Sequence, residues 1–100
     1  MSGHRSVEIV VRGRVQGVGY RAWTKGVAEA RGLSGTVRNR QDGSVEARLA
    51  GPEDAVATMI EACRRGPPGA RVQDLAVHDL PSPEAPQPPG RGGVQILPTA

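Results

Sequence analysis

The residues with chemical potential in this 100-residue chain stand early. Gly13-Arg14-Val15-Gln16-Gly17-Val18-Gly19-Tyr20-Arg21 places three glycines within seven positions and ends on an arginine. Glycine reaches backbone angles in which successive N–H groups converge on one concavity. Such a nest at the start of a helix attracts anions. Arg21 adds a planar donor fork suited to phosphate. A flexible connection with a surface arginine is the competing reading. The Lys-Ser/Thr pair of a nucleoside-triphosphate loop is absent. Charge favours the anion site: Arg12 to Arg40 carries seven basic residues against one acid, while the whole chain nets only +3.

Other polar residues have plainer readings. Asn39 taken alone is a polar residue beside a turn. Asp42 precedes Gly43 and serves that turn. Cys63 falls on an apolar helical stripe, as a core thiol would. His4 and His78 are far apart and have no metal-ligand spacing, so no metal site is expected.

These residues need elements to position them. Val7 to Arg12 alternates around Val7, Ile9 and Val11 and predicts a strand. Arg21 to Arg31 predicts a helix with Trp23, Val27 and Ala30 as its apolar stripe. Thr36 to Asn39 and Ser44 to Ala50 predict a hairpin across an Asp42-Gly43 turn. A second helix starts with Gly51 as cap and Pro52 in the first helical position. It ends at Gly66-Pro67-Pro68, and its stripe is Val56, Met59, Ile60 and Cys63. Ala70 to Leu80 predicts a strand with an irregularity between Val72 and Leu75. Pro81 to Gly93 is a Pro-rich loop, and Val94 to Leu97 a short last strand. The order β-α-β-β-α-β, with an extra edge pairing allowed, predicts an α+β fold. It is the ferredoxin-like sandwich, an antiparallel sheet with two helices on one face. Residues 1–6 are expected to be a flexible N-terminus and 7–100 a single domain.

Composition narrows the class. The apolar set is 37%, led by 12 Val and 12 Ala with no Phe, so the core is small. No apolar run approaches the ~20 residues of a membrane span. No signal-peptide pattern precedes Val7. One cysteine cannot form an internal disulfide. A cytoplasmic protein without membrane partners is expected.

Two longer stretches carry a resemblance. Val11 to Arg21 resembles the first signature of the acylphosphatases. Gly35-Thr36-Val37-Arg38-Asn39-Arg40-Gln41-Asp42-Gly43-Ser44-Val45-Glu46, followed by Gly51, resembles the second. The likeness runs from Val7 to about Val77. It departs at Thr36 and Val94, where that family usually carries aromatics. The resemblance implies hydrolysis of an acyl phosphate, a small-molecule substrate, to a carboxylate and inorganic phosphate, with no metal and no cofactor. It assigns phosphate binding to Arg21 and to the loop amides of Gln16, Gly17, Val18, Gly19 and Tyr20. It assigns orientation of the attacking water to Asn39. A monomer is expected.

The alternative is a non-catalytic ferredoxin-like module binding RNA or a small anion. RNA-binding sheets stack bases on aromatics of central strands. Val7 to Arg12 and Ser44 to Ala50 contain none, so no nucleic-acid partner is expected.

Overall fold

The computed structural model describes residues 3–81 and 93–100. Its elements are β1 (His4–Arg14), α1 (Tyr20–Ala30), β2 (Ser34–Asn39), β3 (Val45–Pro52), α2 (Glu53–Arg65), β4 (Arg71–Asp79) and β5 (Gly93–Ile96). The sheet order is β4-β1-β3-β2-β5. Two helices cover one face, so the ferredoxin-like α+β expectation holds. The expected all-antiparallel sheet is corrected at one edge, where β5 runs parallel to β2.

Period-2 patterning builds the core. Val7 pairs with Leu49, Ile9 with Ala47 and Val11 with Val45. All six are buried and turn to the helix side, where Val56, Met59, Ile60 and Cys63 of α2 meet them. Burying each larger aliphatic side chain stabilises by roughly 1.5–3 kcal/mol. Val94, in a position where an aromatic was expected, is also buried in this cluster.

Local signals misplaced some boundaries. β1 begins at His4, not Val7, because His4, Arg5 and Ser6 pair with Pro52, Gly51 and Ala50. The flexible segment drawn over residues 1–6 is therefore corrected from His4 onward. Pro52 is the N-cap of α2 rather than its first helical residue, with ψ of 140°. β3 pairing carries the extended backbone through it. The α1 stripe is rotated: Tyr20, Thr24 and Ala28 are buried, Trp23 and Val27 are half-buried, and Ala30 is exposed. The irregularity expected between Val72 and Leu75 is present. Arg12 pairs with Asp74 and Gly13 with Val72, so Gln73 bulges. Residues 82–92 of the expected Pro-rich loop lie outside the described residues. No described helix is long and apolar enough to cross a membrane.

Candidate active site

The turn from β1 into α1 builds the site. Gly17 and Gly19 have φ of 77° and 80°, the left-handed region that side chains with a Cβ rarely enter. A Cβ at either would meet nothing within 4 Å, so backbone angle and not space selects glycine. Gly19 is the N-cap of α1 and offers no side-chain cap. Its carbonyl accepts from the Trp23 N–H at 3.0 Å, which starts the helix. Among the described residues, the N–H groups of Gln16, Gly17, Val18 and Gly19 have no hydrogen-bond acceptor. The first turn of α1 holds no acid, whereas α2 places Glu53 and Asp54 in its own first turn. The positive end of α1 is therefore not neutralised by the chain itself.

Tyr20 fixes this end in place. Its ring is buried and its hydroxyl donates to the Cys63 carbonyl at 2.6 Å. Burial pushes the Tyr20 hydroxyl well above the usual tyrosine range, and the neighbouring Cys63 adds to the shift. Trp23 meets the Tyr20 ring edge-on at 5.4 Å. Arg21, one residue on, takes no part in the ion pairs formed among the described residues.

Asn39 comes from the end of β2. Its backbone pairs with Val45, whose side chain lies on the core face. Alternation then sends Asn39 towards α1 and sends Arg38 and Arg40 to the opposite face. Both arginines are engaged there with buried Glu46, Arg38 at 3.0 Å and Arg40 at 2.7 Å. Burial alone would raise the Glu46 carboxyl, but donation from Arg40 and Arg38 wins and lowers it. Arg48 pairs with Glu8 on the same face at 3.0 Å. That face is a lattice of internal ion pairs. The chain's only aromatics, Tyr20 and Trp23, lie on α1. This is no stacking platform for bases.

One cavity of about 340 Å³ unites the pieces. Val15, Gly17, Gly19, Tyr20, Arg21, Ala22, Asn39 and Ile96 line it. Arg21 and Asn39 thus meet at one concavity beside the glycine loop. Gln16 and Val18 do not line it. The Gln16 side chain turns instead to the hairpin, where Nε2 donates to the carbonyls of Arg40 at 2.7 Å and Ser44 at 2.9 Å. Val18 packs against the core. The sequence reading missed Val15, Ala22 and Ile96 as lining residues. Only the alternation of Val94 and Ile96 along the last strand hinted that Ile96 shares the core face.

The plainer readings also have outcomes. Asp42 accepts from the Ser44 hydroxyl at 2.6 Å and the Ser44 N–H at 2.9 Å. Those bonds first, and then Arg12, hold its carboxyl down at about 2. Cys63 is buried, and burial pushes its thiol up to about 11. Among the described residues, no group of three or more His, Cys, Asp or Glu side chains could hold a metal ion.

The family pattern described as Acylphosphatase matches residues 7–87. The chain belongs to the acylphosphatase family. An acylphosphatase from Rhodopseudomonas palustris (strain BisB5) is 61% identical over 72 residues, covering 72% of this chain and 73% of that one. The solved acylphosphatase of Bacillus subtilis superposes with a TM-score of 0.83 at 39% identity, covering 93% of this chain and 98% of the other. That of Coxiella burnetii gives 0.84 at 26% identity, covering 94% and 93%. Family membership makes the chain an acylphosphatase, a hydrolase.

Proposed function

We propose that this chain hydrolyses the carboxyl–phosphate bond of acyl phosphates in the cavity at the α1 N-terminus. Arg21 and the N–H groups of Gln16 to Tyr20 hold the phosphate, and Asn39 orients the water. The observation that carries this reading is the meeting of Arg21 and Asn39 in one cavity, beside loop amides that have no acceptor among the described residues.

The chemistry follows from charge. In phosphoryl transfer, negative charge spreads over the equatorial oxygens. Fixed N–H dipoles and a guanidinium stabilise it without reorganising. Water oxygen bonds to phosphorus as the bond from phosphorus to the acyl oxygen breaks. The electron pair leaves on the carboxylate, which is a weak base and needs no acid to depart. The Asn39 amide does not titrate near neutrality, so Oδ1 orients the water by accepting one hydrogen bond. The water's protons pass to the phosphate oxygens or to solvent.

Asn39→Ala tests this division of labour. The variant is expected to bind inorganic phosphate nearly as well as the parent, because the loop and Arg21 remain. Its turnover of benzoyl phosphate is expected to fall by roughly 10²-fold or more, the scale of one preorganised catalytic hydrogen bond. Calorimetry beside steady-state hydrolysis measures both. Equal losses in binding and turnover would make Asn39 a phosphate ligand and end the water-orienting role.

A further inference from the structure

Among the described residues one large hydrophobic side chain stands exposed, Ile96, at 41%. It is not an isolated surface residue, because it lines the cavity that holds Arg21 and Asn39. An exposed apolar side chain inside a reactive concavity is more informative than one on an open surface.

The strand beneath it is held firmly. Ile96 pairs with Val37 and Val94 with Gly35 along β2. On the side of β5 away from β2, the Val94 N–H donates to Glu29 Oε2 at 2.8 Å and the Val94 carbonyl accepts from Lys25 Nζ. Lys25 and Glu29 also pair with each other at 2.9 Å, one turn apart on α1. An edge strand that α1 grips from the side therefore presents Ile96 at a set place relative to Arg21.

The lining mixes two kinds of surface: Gly17, Gly19, Arg21 and Asn39 offer polar groups, and Val15, Ala22 and Ile96 offer hydrocarbon. Arg21 is the only charged side chain in the lining. If Arg21 and the loop take the phosphate and Asn39 the water, the side chains of the lining left to meet the acyl group include the hydrocarbon of Val15, Ala22 and Ile96. A carboxylate or ammonium on that group would lose hydration and find no partner.

We infer that Ile96 is the specificity-determining wall of an acyl subsite, and that the enzyme favours acyl phosphates whose acyl group is an aromatic or branched hydrocarbon over small or charged ones. This rests on the proposed phosphate-binding role of Arg21 and the loop.

The test compares kcat/KM for benzoyl phosphate and acetyl phosphate in the parent and in Ile96→Ala, Ile96→Leu and Ile96→Asp. Ile96→Ala is expected to lower the benzoyl-to-acetyl ratio about ten-fold, the scale for lost apolar contact in a pocket. Ile96→Asp should lower it further, and Ile96→Leu should keep it within about two-fold. Inhibition by inorganic phosphate should keep the parent Ki in Ile96→Ala and Ile96→Leu, because it reads the phosphate-binding groups alone, whereas the carboxylate of Ile96→Asp should raise it by repulsion. Circular dichroism checks that each variant is folded. The exposed position makes that outcome expected. A ratio unchanged in Ile96→Ala, or equal losses on both substrates, overturns the inference. Failure of the underlying reading looks different: Arg21→Lys would then leave the phosphate Ki at the parent value, whatever Ile96 does.

Discussion

Arginine rather than lysine at position 21 matters because a phosphate presents several oxygens at once. A guanidinium meets two of them with parallel N–H donors, and an ammonium is a single point of charge. Arg21→Lys is therefore expected to lower kcat/KM for benzoyl phosphate by about 10²-fold and to raise the phosphate Ki. Near-normal turnover with unchanged Ki would remove Arg21 from the site. Cys63 makes the opposite case. Its thiol is buried and pushed up to about 11, so it carries almost no thiolate at neutral pH. Cys63→Ala should cost on the order of 1 kcal/mol of stability by urea unfolding. The rate per folded molecule should not change, and loss of activity in a fully folded variant would show the thiol in the chemistry.

Two elements must keep a fixed separation for the site to work, the loop before α1 and the β2–β3 hairpin. Gln16 spans them, since its amide donates to both Arg40 and Ser44 carbonyls. Those carbonyls flank the turn that follows Asn39. Gln16→Met keeps the length and removes both donors. It should destabilise by about 1–2 kcal/mol, the sum of two ordinary hydrogen bonds. It should also lower kcat more than it weakens phosphate binding, because loop and hairpin then drift relative to each other. The decisive measurement is a double-mutant cycle with Asn39→Ala. If Gln16 acts through the placing of Asn39, its effect on kcat largely vanishes once Asn39 is gone. Full additivity would reduce Gln16 to a general structural tie.

At the scale of the whole molecule, the sheet face away from the helices is organised around Glu46. This carboxylate is buried and takes donors from Arg38 and Arg40, the two neighbours of Asn39 in sequence. Their charges are thereby held on the face opposite Asn39. Because the folded carboxyl lies below its ordinary value, the network stabilises above the unfolded glutamate pKa of about 4.3. That contribution is lost as pH falls through the lower folded value. Glu46→Gln should thus lower Tm by several degrees at pH 7, and the gap to the parent should close progressively below about pH 4. A gap independent of pH would mean that shape, not charge, is what Glu46 contributes.

Much of this was legible along the chain because its causes are local. Val7, Ile9 and Val11 alternate, so a strand with one apolar face follows from the geometry of the pleat. Glycines at 17 and 19 before Arg21 announce a turn, since few other residues hold those left-handed angles. Asp42-Gly43 announces the hairpin, and charges at both ends of α2 announce its limits. Other features depend on partners distant in sequence. His4 to Ser6 have no strand-like pattern, and they become strand only because β3 offers Ala50 to Pro52 as partners. The buried stripe of α1 is turned towards Tyr20 by an acceptor at Cys63. Gln16 reads as one more loop residue until the hairpin carbonyls stand opposite it. Ile96 reads as the tail of a core strand until parallel pairing with β2 carries it past the core to the rim of the cavity. The sequence by itself marked a glycine loop ending on Arg21 as a candidate anion site and outlined most helices and strands, because backbone angles and side-chain period are properties of neighbours. Only the tertiary structure decided that Arg21, Asn39 and Ile96 share one concavity, because that follows from sheet register and from the seating of α1 on the sheet.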